Sequence, residues 1–219
     1  MKVIPIQYVE TQPSLTGRVD GTSWQDSDPI AINHFLWCNP DREPRAVVRL
    51  LYTDEELLLQ YQVESDHIYA KASSLNGPVW EDSCVELFAA VDPARRDHYI
   101  NFELNCTGTV HLGVGTDRAD RNLITPELAE SIQIRTSVSG PTKTPSEGDE
   151  HWWAAIAIPF QTLTALTGTP TNPEQGTTWY GNVHHLRSEP TPTFAAWNPV
   201  ETSEPDFHQP SAFGKLVFE

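Results

Sequence analysis

Basic residues are scarce in this chain. Its 219 residues hold 14 Lys and Arg against 30 Asp and Glu, a formal charge of −16. Phosphate backbones and anionic bilayers reward Lys and Arg, so the balance argues against nucleic acid or a membrane surface as partner. Cysteine is scarce too, and three is an odd number that offers no disulfide framework. Nowhere do about eighteen apolar residues run together, so a membrane-spanning helix is not expected. The opening MKVIPIQYVE lacks the long apolar core of a signal peptide, which predicts a cytoplasmic chain unless a leader has been removed. Metal and nucleotide signatures are missing as well. No His-x-His, His-Glu-x-x-His or Cys-x-x-Cys spacing occurs, and there is no Gly-x-Gly-x-x-Gly, P-loop or Gly-x-Ser-x-Gly. His184 and His185 are consecutive on a strand-like run, so they point to opposite faces and do not share an ion.

What is present is a series of short strands. With 38% hydrophobic residues and seven Trp the chain can bury a sizeable core. Strand patterns recur at 46–53, 57–64, 83–91, 99–106, 109–113, 131–138, 152–158, 178–187 and 213–218. The first two flank Thr53-Asp54-Glu55-Glu56 and read as a hairpin. Loops at 139–150, 168–178 and 188–193 are rich in Pro, Gly, Ser and Thr. Helix is confined to short candidates at 125–130 and 160–166. About nine strands with almost no helix predict an all-β chain: two packed antiparallel sheets in one domain over residues 1–219. Trp152, Trp153, Trp179, Phe213 and Phe218 are expected in its core.

The run Val79–Val91, VWEDSCVELFAAV, carries most of the functional information. Trp80 precedes a strand in which Val85 and Leu87 alternate with Glu86. In the next strand Ile100, Phe102, Leu104 and Cys106 alternate with Tyr99, Asn101, Glu103 and Asn105. Paired, the two strands place Glu86, Asn101, Glu103 and Asn105 on one face. Cys84 shares that face and Cys106 the other, so no bridge is expected between them. Amides and carboxylates bind hydroxyls directionally, and an aromatic ring covers the C–H face of a pyranose. Trp80 lies in a Gly-Pro-Val-Trp-Glu-Asp turn, where an aromatic ring is more often a binding group than a core filler. Three readings of Glu86 and Glu103 stay open: sugar ligands, a catalytic acid–base pair, or a solvated sheet face. Arg118 and Arg121, in TDRADR, either reach that face or form surface ion pairs.

Six pieces in order resemble a known family: Asp20-Gly21 with Trp24, then VRLLYTDEELLLQYQV (48–63), VWEDSCVELF (79–88), YINFELNCTGT (99–109), WWAAIAIPF (152–160) and FHQPSAFGKLVF (207–218). They are similar to family 9 carbohydrate-binding modules, and more so to the stand-alone family 9-like proteins. The resemblance implies a jelly-roll-like β-sandwich that binds an oligosaccharide or chain end, of xylan or glucan type, without chemistry of its own. Polysaccharide breakdown or sugar sensing would be its setting. It places one stacking aromatic on Trp80 and the other on Phe207, where the family usually has tryptophan. It also implies hydrogen bonds from Glu86 and from the late strand at His184, beside Asn182. Glu103 stands where characterised modules carry a basic residue. Asn101 and Arg118 complete the candidate set. The family's structural calcium is a further expectation, although Asp54, Glu55, Asp82, Asp92, Asp97, Asp117 and Asp120 lack EF-hand spacing. The only Met is the first residue, which removes the histidine–methionine haem ligation of some related sandwiches. Two alternatives remain: a glycan hydrolase using Glu86 and Glu103, and a sandwich that contacts another protein through an apolar face.

Overall fold

The computed structural model describes residues 2–38, 45–65, 67–140, 142 and 151–219. Its strands are β1 (Val3–Tyr8), β2 (Ile30–Ile32), β3 (His34–Phe35), β4 (Arg45–Tyr52) and β5 (Glu56–Glu64). After them come β6 (Cys84–Ala90), β7 (Tyr99–Asn105), β8 (Val110–Gly115), β9 (Arg121–Leu123) and β10 (Gln133–Thr136). The last four are β11 (His151–Pro159), β12 (Thr178–Arg187), β13 (Thr193–Ala196) and β14 (Gly214–Phe218). The helices are α1 (Pro126–Ala129) and α2 (Phe160–Thr167), both at predicted places. Thr125 caps α1 by accepting from the Leu128 N–H, and Gly168 ends α2 at φ 67°, a conformation that favours glycine. Most of the loop predicted at 139–150 lies outside the described residues.

The β4–β5 hairpin forms as its sequence predicts. Thr53 N–H donates to the Glu56 carbonyl at 3.0 Å, while the Thr53 hydroxyl accepts from the Glu55 and Glu56 amides. On β5, Leu57, Leu59, Tyr61 and Val63 face the main core. Leu58 on the other face is also fully buried, under Trp24 and Val9 from the N-terminal segment. That cover explains why the leucine run is continuous rather than alternating.

The strands join into one curled sheet in the order β10-β11-β5-β4-β1-β14-β12-β6-β7-β8-β9, with β13 beside β12 and β3, and β2 beside β4. The expectation of purely antiparallel pairing is corrected at β1. Its residues 3–6 run parallel to β14, and residues 7–8 run parallel to β4. Side-chain alternation is the same for either strand direction, so the pattern could not reveal this. One strand thereby joins the wing around β4, β5 and β11 to the wing around β12, β6 and β7.

The two wings share a core in which Leu59, Tyr61 and Ile156 meet Val85, Leu87, Phe102 and Leu104. Across it the Tyr61 hydroxyl donates to the Glu86 carbonyl at 2.9 Å. Each fully buried Leu, Ile or Val there contributes on the order of 1.5–3 kcal/mol. Trp152, Trp179, Phe213 and Phe218 are buried as expected. Trp153 is corrected: it follows Trp152 on a strand, so it points outward, half-buried against Gly17, where a Cβ would collide with its ring. Cys84 and Cys106 lie on opposite faces of the sheet, again as predicted.

Candidate functional site

Four strands bring a row of polar side chains into register. His184 on β12 pairs with Glu86 on β6, Glu86 with Glu103 on β7, and Glu103 with His111 on β8. At a strand spacing of ~4.8 Å the row is about 14 Å long. It lies on the face opposite Val85, Leu87, Phe102 and Leu104. Aromatic rings stand at its two ends. Phe207 stacks flat on His184, with centroids 4.1 Å apart and planes at 11°. Trp80 meets the edge of His111, with centroids at 5.3 Å.

This face is not a solvated surface, which corrects one of the three sequence readings. Phe194, Val200, Phe207 and Phe213, with Leu36 and Trp37, pack around Phe88, Tyr99 and Leu186 into a second apolar cluster. Glu86 and Glu103 are consequently only 3% and 4% exposed. Between the row and that cover lies a cavity of about 420 Å³, lined by Trp80, Glu86, Asn101, Glu103, Arg118 and Phe207 among others. Six of the eight predicted site residues therefore meet at one cavity. His184 lies beneath Phe207, in contact with the floor. Asn182 does not reach the cavity: its side-chain oxygen accepts from the Val183 and Asn198 amides, and its NH₂ donates to the Asn198 carbonyl at 2.8 Å. It anchors the covering strip instead.

Trp80 is 38% exposed, on a 3-10 turn spanning Val79–Glu81, and the Ser188 hydroxyl holds its carbonyl at 3.2 Å. Phe207 differs: at 9% exposed it has one face on His184 and is tilted against Trp37 at 5.4 Å. Sequence reasoning missed Trp37. It lines the cavity at φ 53°, with its indole N–H donating to the Thr202 carbonyl at 2.7 Å. The logic applied to Trp80, a tryptophan in a polar turn, would have found it. His111, Asp206 and His208 were also missed as lining residues.

Burial dominates the electrostatics. It pushes the Glu86 carboxyl up to about 8, partly offset by Arg118. Burial, then the neighbouring Glu86, pushes Glu103 well above the carboxylate range, opposed by its bond from Asn101 and by Arg121 and Arg118. Burial pulls His184 down to about 3. Both ends of the 3.0 Å contact between His184 Nδ1 and Glu86 Oε2 are therefore driven toward neutral forms that share one proton. Asn101 donates to Glu103 Oε1 at 2.8 Å, which leaves Glu103 Oε2 and Asn101 Oδ1 buried without a partner. Buried polar atoms are normally paired, so unpaired ones on a cavity floor mark places for a ligand.

The rest of the predicted patch is structural. Asn105 donates to Asp82 Oδ2 at 2.8 Å, and Asp82 also accepts the Lys71 and Ala72 amides at 2.8 and 3.1 Å. Asp82 is thus fully engaged, and Asp117 accepts the Ala119 and Asp120 amides. Among the described residues no group of three or more His, Cys, Asp or Glu could hold a metal ion.

The whole chain can be superposed on solved structures. A candidate carbohydrate-binding protein from Bacteroides uniformis is 27% identical with TM-score 0.86, covering 100% of this chain and 99% of that one. A family 9 carbohydrate-binding module from Caldicellulosiruptor kristjanssonii, in complex with glucose, is 15% identical with TM-score 0.66, covering 100% and 96%. The same organism's family 9 module with cellotriose gives 16% identity, TM-score 0.64, and 100% and 94% coverage. No curated protein matches the sequence. A profile of carbohydrate-binding family 9 matches residues 23–218, nearly the full length, and the chain belongs to that family.

Proposed function

We propose that the chain binds a carbohydrate in the cavity over Glu86, Asn101 and Glu103 and performs no chemistry on it. The observation that carries this reading is the polar row: a buried floor with unpaired Glu103 Oε2 and Asn101 Oδ1, and aromatic rings at either end. A pyranose would lay its C–H face on Trp80 and offer hydroxyls to the floor. Phe207 and Trp37 would wall the far end, Phe207 with less stacking area than the tryptophan usual in the family. His184 and Asn182 would act from below, by holding Glu86 and the covering strip. The cavity volume suits one or two sugar residues, which favours an oligosaccharide end over a long chain. Related modules bind glucose and cellotriose, so glucan-type ligands come first, in the service of polysaccharide breakdown or sugar sensing. Each neutral hydrogen bond nets about 0.5–1.5 kcal/mol, which sets affinity between micromolar and millimolar.

The hydrolase reading draws on the paired carboxyls Glu86 and Glu103. A glycosidase separates its two carboxyl groups, one protonated and one ionised. Burial raises both here, which favours binding over turnover. The experiment is a tryptophan-fluorescence titration with mono- and oligosaccharides, with and without calcium, repeated on Trp80→Ala. A saturable shift lost in the variant supports the reading. Silence across the panel, or release of reducing sugar, contradicts it.

A further inference from the structure

We infer that the ligand is an acidic sugar, a pyranose whose carboxylate is held by Arg118 at the rim of the cavity. The inference rests on the carbohydrate reading above and names the class of sugar.

The floor and one wall of the cavity differ in chemistry. The floor, Glu86, Asn101 and Glu103, offers two unpaired oxygens suited to hydroxyls, Asn101 Oδ1 and Glu103 Oε2. The wall comes from the β8–β9 hairpin, which supplies two arginines to the cavity. Arg121 is fixed: its Nη2 donates to the Tyr99 carbonyl at 2.8 Å, its Nη1 to the Asp117 carbonyl at 2.9 Å, and its guanidinium sits 4.6 Å over the Tyr99 ring. Its Nε is buried and has no partner. Arg118 is exposed, lines the same cavity, and makes no hydrogen bond or ion pair among the described residues.

Among the described residues Arg118 makes no ion pair although three acids line the same cavity. Each of those acids is otherwise engaged. Asp206 accepts the His208 amide at 3.0 Å and the Gln209 side chain at 2.7 Å. Glu86 contacts His184, and Glu103 accepts from Asn101. Burial also drives Glu86 and Glu103 toward protonated forms, so neither offers Arg118 a full negative charge. The hairpin holds Arg118 at the rim through Asp117, whose side chain accepts the Ala119 and Asp120 amides at 2.7 and 2.9 Å. A guanidinium has five N–H donors in a planar fork. A hydroxyl satisfies one of them, whereas a carboxylate accepts two in parallel and supplies the missing charge. A hexuronic acid has both halves of what this cavity lacks: hydroxyls for the floor and a carboxylate for the rim. Most of the chain's negative charge lies away from the cavity, and salt at about 0.1 M screens it beyond about 10 Å.

The test is a titration of the full chain at pH 7 in about 0.1 M salt with two matched pairs: glucuronate against glucose, and galacturonate against galactose. Glucose 6-phosphate serves as an anion of different shape. In at least one pair the acid should bind ten-fold or more tightly than its neutral parent. That ratio should fall to within about two-fold in Arg118→Gln, and Arg118→Lys, which keeps charge without the fork, should lie between. Arg118 is exposed, so neither variant threatens folding. Neutral sugars binding as well as their acids, a preference that survives Arg118→Gln, or glucose 6-phosphate outbinding both acids would overturn the inference while leaving the carbohydrate reading standing. No binding by any acidic, neutral or oligomeric sugar would overturn both.

Discussion

The strands β6, β7 and β12 carry two faces of opposite character. The inner face presents Val85, Leu87, Phe102, Leu104 and Val183 to the shared core, where apolar contact is complete. The outer face presents Glu86, Asn101, Glu103 and His184, just as deeply buried but with polar atoms left unpaired. A buried carboxyl without a full set of partners costs stability, and a folded chain retains one when it serves a ligand. Position along the strand decides which role a residue takes: one step along the chain moves a side chain from scaffold to site.

Substitutions on the two faces should therefore fail differently. The largest loss of stability is expected at Phe102→Ala, which empties a fully buried site on the inner face. Denaturant unfolding should show a loss of about 3–5 kcal/mol. A loss under about 1 kcal/mol would break the contrast. Asn182→Ala on the outer face should cost about 1–3 kcal/mol, because it strands the buried Val183 amide and the half-buried Asn198 amide. It should also weaken sugar binding by loosening the covering strip. A variant with unchanged stability would remove Asn182 from that anchoring role.

Trp80→Ala should reverse the pattern: at least ten-fold weaker sugar binding, with a stability loss of no more than about 1.5 kcal/mol. Truncating a fully buried Trp costs about 3–5 kcal/mol. A loss in that range would make Trp80 a core residue. The last expected effect is a pH dependence. Glu86 has a folded value of about 8, raised above the 4.5 of an ordinary Glu, so the folded state holds the proton longer. Its contribution to stability is complete below about 4.5 and is lost as pH rises through 8. The buried histidines act oppositely: folded values near 3 for His184, His185 and His208 make stability rise with pH up to about 6.5. Between pH 6.5 and 8 only the carboxyl effect remains, and thermal unfolding should show stability falling. Glu86→Gln should shallow that fall. An equally steep fall in the variant would assign it elsewhere.

Much of this was legible in the sequence, and the reasons are specific. Period-two alternation in 84–90 and 99–105 put Glu86, Asn101 and Glu103 on one face, as found. The acidic hairpin turn at 53–56 followed from its residues. Burial of the site face was not legible, because its cover comes from residues near 36 and 194–213, far from β6 and β7 in sequence. The engagement of Asn105 and Asn182 was hidden for the same reason, since an amide's partners depend on which loop crosses it. Strand direction at β1 left no trace in side-chain pattern. Trp37 was overlooked beside a better motif rather than concealed.

The most direct measurement is a crystal structure of the chain with whichever sugar binds most tightly in the titrations. A pyranose should sit within hydrogen-bond distance of Glu103 Oε2 and Asn101 Oδ1, with one face against Trp80. A sugar bound elsewhere, with those two atoms still unpaired, would contradict the site proposed for this fold.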